Sequence, residues 1–143
     1  MKCDETGKLR FGILSTSSVA PRFIGGLDAC GGGTVQAIAS RTIEKASEFA
    51  AKYNIPKAYG SYEELVSDPD IDVVYVAMVN SLHYTWVKQS LLAGKNVICE
   101  KPFTLDAKEA AELFDLAAEK GLFLVEAQKS VFLPVMNEIR KLI

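Results

Sequence analysis

Short apolar runs alternate along the chain with longer amphipathic segments, and this alternation predicts strands and helices in turn. Leu9–Leu14, residues 35–39 and residues 73–78 have the length and the β-compatible residues of strands. Shorter apolar runs at 97–99 and 122–125 predict two more. Because the run at 73–78 is continuously apolar, we expect it to be covered on both faces of a sheet.

Capping residues and apolar spacing predict helices between these runs. Thr42 can cap a helix whose apolar positions fall on one face, namely Ile43, Ala46, Phe49, Ala50 and Tyr53. Ser61 with Glu64 has the pattern of a capping box, and Asp106 with Glu109 opens a further helix in the same way. These polar residues therefore indicate where three helices begin.

Proline and glycine delimit the remaining helices. Pro21 suits a first helical turn, because the amide that proline lacks would have no partner there, and glycines 31–33 would end that helix. A helix over about 82–93 stops at a glycine, and Gly121 ends the next one. The segment 134–143 begins like a helix.

Regular alternation of strands and helices predicts an α/β fold with a doubly wound parallel sheet of about six strands and helices on both faces. Parallel strands require long right-handed crossovers, which helices supply. The length of 143 residues and the hydrophobic share of 49% suit one domain, so we expect residues 1–143 to form a single domain.

Composition excludes several classes of partner. Sixteen basic and eighteen acidic side chains give a formal charge of -2, so we expect neither nucleic acid nor a membrane as partner. The N-terminus lacks the apolar stretch of a signal peptide. The scattered Cys3, Cys30 and Cys99 show no metal-ligand spacing, which favours a cytoplasmic protein without a structural metal.

In a doubly wound sheet, ligands bind beyond the carboxyl ends of the strands, and the turn after the first strand is the usual dinucleotide fingerprint. The pattern G-x-G-x-x-G/A falls here on Ser15, Ser17 and Ala20, so serine replaces both leading glycines. The serine hydroxyls could donate to phosphate oxygens at a helix N-terminus, or they could be ordinary turn residues. This motif alone leaves both interpretations open.

Basic residues follow the second strand, where folds that prefer NAD place an acid against the ribose hydroxyls. The sequence reads Ala39-Ser40-Arg41, with Lys45 one helical turn later. A guanidinium can bind a 2'-phosphate in bidentate fashion, which favours NADP over NAD. Arg41 could instead be a solvated residue at a helix start.

Two further residues lie where a cofactor would pass. His83, the one histidine in the chain, follows the strand at 73–78, although a single histidine is more often a packing or capping residue. Lys101 follows the strand at 97–99 and precedes Pro102, which disfavours helical geometry before it. A lysine there could exchange a proton with a carbonyl and alcohol pair, provided that burial or positive neighbours weaken its basicity.

Five motifs occur together and in order: Gly12 to Ser17, Ala39 to Arg41, Asn80 to His83, Gly94 to Val97, and Glu100-Lys101-Pro102. Over nearly the whole chain they resemble the N-terminal domain of Gfo/Idh/MocA oxidoreductases. The Glu-Lys-Pro tripeptide after an Asn-x-x-His turn is the most specific part of the resemblance.

The resemblance implies a role for each part of the predicted site. The pyrophosphate would lie on Ser15, Thr16, Ser17, Ser18 and Val19, and the adenosine phosphate end on Ser40, Arg41 and Lys45. The middle of the cofactor would be lined by Ala77, Met78, Val79, Asn80 and His83. Glu100 would meet the nicotinamide ribose, Lys101 would be the catalytic lysine, and Gln128 and Lys129 would lie near the nicotinamide.

The chain also departs from the pattern of this family. Val79 stands where proline is common, and the second α/β domain, which carries the substrate pocket and much of the subunit interface, cannot fit after Ile143. The resemblance implies that residues 1–143 are the N-terminal, dinucleotide-binding part of a longer oxidoreductase. Such an enzyme would transfer hydride between NAD(P) and a sugar, a polyol or a related hydroxy or keto compound, and its full-length form would be a homo-oligomer. The alternatives are a free-standing NAD(P)-binding module without catalysis, and an interaction domain whose cleft has decayed.

Overall fold

Six parallel strands form the sheet in the computed structural model, which describes residues 7–142 without the side chains at 132 and 137. The strands are β1 (Leu9–Leu14), β2 (Gly33–Ala39), β3 (Lys57–Tyr59), β4 (Val73–Val76), β5 (Asn96–Cys99) and β6 (Leu124–Glu126). Their order across the sheet is β3-β2-β1-β4-β5-β6. The predicted doubly wound parallel sheet is confirmed.

Helices cover both faces of this sheet. They are α1 (Ala20–Cys30), α2 (Ile43–Tyr53), α3 (Tyr62–Ser67), α4 (His83–Leu92), α5 (Ala107–Lys120) and α6 (Pro134–Leu142). Helices α1 and α2 pack with Ile13, Ile38 and Tyr75 on one face. Helices α3, α4 and α5 pack with Leu14 and Val74 on the other face. Each strand of the centre is therefore buried from both sides, as its continuous apolar sequence predicts.

Most of the predicted start and stop signals work as expected. Asp106 accepts hydrogen bonds from the amides of Lys108 and Glu109 at 2.9 Å each, and Ser61 Oγ accepts from the amide of Glu64 at 3.3 Å. Gly31, Gly94 and Gly121 have φ angles of 67°, 78° and 64°, which glycine adopts at little cost. These polar and glycine signals are local, so they can be recognised without the fold.

Other boundaries differ from the prediction. Strand β4 ends at Val76 rather than at residue 78, because the carbonyl of Met78 turns to the ring of His83. Strand β6 starts at Leu124, because Leu122 still donates to the carbonyl of Ala117 at the end of α5. Gly33 opens β2 rather than ending α1, and a Cβ there would clash with the ring of Phe11.

The sequence pattern also missed features at the edge of the sheet. Strand β3 was not located, since it has three residues and no alternating apolar pattern. Ile43 was expected on the buried face of α2 but is 45% exposed, and Thr42 makes no side-chain capping bond. Short edge elements carry little periodicity, so their place is decided by pairing with their neighbours.

A charged network ties the strands together at the edge opposite the carboxyl ends. Arg10 binds the carboxylate of Asp72 at 2.8 Å, and Lys95 donates to the carbonyls of Asp68 and Ile71 at 2.6 and 2.8 Å. Burial alone would raise the pKa of Asp72, but the bonds from Arg10 outweigh it and lower that pKa. Burial lowers the pKa of Lys95. This edge is thus occupied by structural contacts.

Candidate functional site

The candidate site lies at the carboxyl edge of the sheet. All five strand pairs are parallel, so the loops that follow the strands meet along one edge. Strands β1 and β4 are neighbours, but the chain leaves β1 toward α1 and β2 on one side and leaves β4 toward α4 and β5 on the other. Such a point of reversal opens the crevice in which doubly wound folds bind ligands.

The turn after β1 has the backbone of a dinucleotide loop, although serine occupies its first position. Ser15 has a φ of 88°, in the left-handed region that glycine normally occupies. Its amide donates to the carbonyl of Ala39 at 2.9 Å, which holds the turn against β2. The chain therefore keeps the tight turn and accepts the strain of a Cβ there.

Ser17 provides a test of whether this turn fits a phosphate. Its hydroxyl oxygen is buried and has no hydrogen-bond partner among the described residues. Helix α1 starts three residues later, its cap residue Val19 makes no side-chain bond, and its first turn holds no acidic residue. A buried hydroxyl without a partner, beside a positive helix end, is the arrangement that a pyrophosphate would complete.

The loop after β2 separates a buried residue from two exposed cations. Ser40 is 5% exposed and donates its amide to the carbonyl of Tyr59 at 3.1 Å. Arg41 and Lys45 are both exposed, and Glu44 lies in the same first turn of α2. The two cations thus lie on the surface beside the start of α2.

The loop after β4 contains both buried and exposed residues. Ala77 is buried and Met78 is half-buried, whereas Val79 and Asn80 are exposed. The amide of Ala77 donates to the carbonyl of Leu14, so this loop continues alongside the turn after β1. The two loops meet at the point of reversal, where the middle of an extended dinucleotide would cross.

His83 lies beneath the site, with no exposed surface. One ring nitrogen, Nδ1, is 2.9 Å from the carbonyl of Pro102, and the other, Nε2, is 3.0 Å from the carbonyl of Met78. The histidine therefore joins the loop after β4 to the loop after β5. The packing makes it a support for both loops, with its ring engaged by the protein itself.

The turn after β5 is held by several hydrogen bonds. Tyr75 Oη donates to Glu100 Oε1 at 2.7 Å, and the Lys101 amide donates to Glu100 Oε2 at 3.2 Å. The amide of Phe103 donates to the carboxylate of Glu126 at 2.9 Å. The peptide bond between Lys101 and Pro102 is cis, and the Lys101 side chain is exposed. An exposed lysine side chain thus stands on a hydrogen-bonded turn.

A cavity of about 480 Å³ brings five of the predicted residues together: Val19, Glu100, Lys101, Gln128 and Lys129. Its other lining residues are Arg22, Phe23, Tyr75, Ile98, Ala127 and Ser130. The remaining predicted residues of the turns after β1, β2 and β4 lie outside this cavity. The candidate site therefore divides into a cavity between α1 and the ends of β4, β5 and β6, and a pair of exposed cations, Arg41 and Lys45, beside the start of α2.

Two aromatic residues that no sequence motif indicated, Phe23 and Tyr75, also line this cavity. Phe23 and Tyr75 stack with ring centroids 3.9 Å apart and an interplanar angle of 11°. Phe23 follows Val19 at helical spacing, and both line the cavity. That spacing was visible in the sequence, but the pairing of α1 with β4 requires the order of strands in the sheet.

Comparison with known proteins identifies the family of this chain. Residues 9–128 match the sequence model of a family described as an oxidoreductase family with an NAD-binding Rossmann fold, Gfo/Idh/MocA. The chain belongs to this family. The Gfo/Idh/MocA resemblance drawn from the five motifs is confirmed, and the chain is a nicotinamide dinucleotide-binding Rossmann domain.

Among the described residues, no helix combines the length and apolar character needed to cross a membrane.

The curated relatives within this family include longer dehydrogenases. A trans-1,2-dihydrobenzene-1,2-diol dehydrogenase from Xenopus tropicalis is 45% identical over 136 residues, and the enzyme of that name from Mus musculus is 43% identical over 137. These alignments cover 94% of this chain and 41% of each relative. The chain thus spans about two fifths of the length of these relatives.

Solved structures of two other oxidoreductases have the same fold. A 3-ketoreductase from Actinomadura kijaniata in complex with NADP superposes with a TM-score of 0.89 at 32% identity, over 94% of this chain and 43% of that one. A biliverdin reductase from Synechocystis in complex with biliverdin and NADP+ superposes with a TM-score of 0.81 at 28% identity, over 93% and 42%. The fold and the nicotinamide cofactor class are therefore shared.

Proposed function

We propose that this chain is the cofactor-binding part of a nicotinamide-dependent oxidoreductase that prefers NADP and acts on a sugar, a polyol or a related hydroxy or keto compound. The observation that carries the proposal is the position of Lys101, exposed on a restrained turn at the rim of a cavity that also contains Glu100. The dehydrogenase and ketoreductase relatives support it.

The cofactor would extend along the carboxyl edge of the sheet, from Arg41 and Lys45 to the cavity. Its pyrophosphate would be held by the turn from Ser15 to Val19, where the Ser17 hydroxyl lacks a partner within the described protein. Ser40, Arg41 and Lys45 would hold the adenosine phosphate, and residues 77–80 would line the middle with His83 in support. Glu100 would meet the nicotinamide ribose, and Gln128 and Lys129 would stand beside the nicotinamide.

Lys101 would move the proton of the substrate oxygen, while the bound nicotinamide supplies or accepts hydride. Its ammonium would donate to a carbonyl oxygen during reduction, and its amine would accept from an alcohol during oxidation. Arg22 and Lys129 line the same cavity as Lys101. The apolar floor of Phe23, Tyr75 and Ile98 would keep water from the ring face of the cofactor.

The preference for NADP rests on Arg41 and Lys45, and calorimetry of Arg41→Ala tests it. We expect NADPH affinity to fall by about tenfold or more, because a bidentate phosphate contact is lost, whereas NADH affinity should change less than twofold. Lys52→Ala removes an exposed charge from the same helix and serves as the control. An equal loss for both cofactors would show that Arg41 has a structural role.

The second candidate is a free-standing NAD(P)-binding module without catalysis of its own. Tight NADPH binding without turnover on any compound of a sugar and polyol panel would support the module. Turnover of one compound would support the enzyme. A lack of binding to either nicotinamide cofactor would contradict both candidates. A homo-oligomeric full-length enzyme and a cytoplasmic location stay predictions.

A further inference from the structure

We propose that Tyr75 is a positioning residue: its phenol holds the Glu100 carboxylate and, through it, the turn that carries Lys101. The proposal rests on the function proposed above, because Glu100 and Lys101 act on the nicotinamide end only if that cofactor binds. It adds a residue from the middle of the sheet, one whose sequence context is that of an ordinary strand.

The contact geometry singles out this phenol. Tyr75 is 2% exposed, and its hydroxyl donates to Glu100 Oε1 at 2.7 Å, the length of a hydrogen bond to a charged oxygen. The other carboxylate oxygen accepts from the amide of Lys101 at 3.2 Å. One carboxylate thus connects a rigid strand to the backbone of the lysine, so the phenol restrains a turn that it does not touch.

The Tyr75 hydroxyl stays protonated and so remains a hydrogen-bond donor to Glu100. Burial raises the pKa of Tyr75, and the bond to Glu100 raises it further, so the hydroxyl keeps its proton across the ordinary pH range. A buried donor aimed at a half-buried carboxylate gives that carboxylate one orientation. The Glu100 carboxylate therefore has its orientation toward the cavity before any cofactor binds.

Tyr75 itself packs against α1, the helix that follows the turn from Ser15 to Val19. Phe23 of α1 stacks on the Tyr75 ring with centroids 3.9 Å apart, and it contacts Phe11 edge-on at 5.6 Å. The chain of contacts runs from α1 through Phe23 and Tyr75 to Glu100. These contacts therefore link the helix that follows the proposed pyrophosphate turn to the proposed nicotinamide end of the site.

Tyr75→Phe tests the proposal because it removes the hydroxyl and keeps the ring on Phe23. Tyr62→Phe is the matched control, since Tyr62 packs edge-on against Trp86 in the core of the opposite face. The first measurement is amide hydrogen exchange of the labelled chain by NMR. We expect the Lys101 amide to exchange about fivefold faster in Tyr75→Phe and at the wild-type rate in the control. An unchanged rate in Tyr75→Phe would overturn the proposal.

The second measurement is calorimetry with NADP and with adenosine 2',5'-bisphosphate, which lacks the nicotinamide half. We expect Tyr75→Phe to weaken NADP by about five- to tenfold and to leave the bisphosphate affinity unchanged. Equal weakening of both probes would indicate a general structural loss and would overturn the proposal. A wild-type chain that binds neither probe would contradict the proposed function, while the exchange measurement would still judge the role of Tyr75.

A double-mutant cycle separates action through Glu100 from a direct effect of the ring. In a Glu100→Ala background, Tyr75→Phe should change NADP affinity less than twofold, because the group through which it acts is gone. Additive losses in the double variant would mean that Tyr75 acts independently of Glu100, and the proposal would fail.

Discussion

At the scale of single residues, the turn after β1 shows how serine can serve where glycine is usual. Ser15 takes the left-handed backbone that the tight turn requires, and Ser17 contributes a hydroxyl that glycine could not. The sequence left open whether these serines bind phosphate or only form a turn. The buried, unpartnered oxygen of Ser17 favours the phosphate, since an unpaired polar atom is a cost that a ligand would remove.

Ser17→Ala should therefore separate stability from binding. The free energy of unfolding should stay within about 0.5 kcal/mol of wild type or rise, because no hydrogen bond inside the described protein is lost. NADPH affinity should fall by about tenfold, the effect of one hydrogen bond to a charged oxygen. Urea unfolding and calorimetry measure the two quantities.

Ser47→Ala, at an exposed position of α2, is the control for the loss of a serine hydroxyl. If Ser17→Ala and Ser47→Ala bind NADPH equally well, the Ser17 hydroxyl does not reach the pyrophosphate. The serines would then be turn residues only.

At the scale of helices and strands, local chemical signals and long apolar runs predicted the elements, and pairing decided their ends. Asp106 and Ser61 could be recognised as caps because a cap is made within four residues. Thr42 occupies a cap position but makes no capping bond, so residue type alone did not determine the contact. Strand β3 was not predicted, because its three residues form a strand only by pairing with the neighbouring strand β2.

The two cap positions predict unequal losses on substitution. Asp106→Ala should lower the free energy of unfolding by about 1 kcal/mol, because two amides of α5 lose their acceptor. Thr42→Ala should cost less than about 0.5 kcal/mol, because no side-chain bond is lost. Urea denaturation of both variants checks the order. Equal losses would mean that Thr42 caps α2 in solution.

At the scale of the whole molecule, strand order assembles the site from distant segments. Val19 and Gln128 are 109 residues apart in sequence, with Lys101 between them, yet all three line one cavity. The reversal between β1 and β4 produces this meeting, because the loops of both halves then face the same crevice. The chemistry proposed for Lys101 belongs to this scale, since its partners come from α1, β5 and the loop after β6.

Lys101→Met in the full-length protein should abolish turnover and leave NADPH affinity within about twofold, because methionine keeps the length of the side chain but cannot move a proton. Steady-state assays and calorimetry measure the two effects. Lys120→Met, at the exposed end of α5, controls for the loss of a lysine charge. Retained turnover in Lys101→Met would refute the catalytic assignment.

The sequence by itself determined the alternation of strands and helices, the caps, the family and the five motifs at the strand ends, because these depend on residues close together in the chain. Only the tertiary structure decided that His83 is buried beneath two loops, that Tyr75 reaches Glu100, and that Phe23 stacks on Tyr75. Those contacts join residues from different strands and helices. Their geometry follows from strand order and packing, which no local pattern encodes.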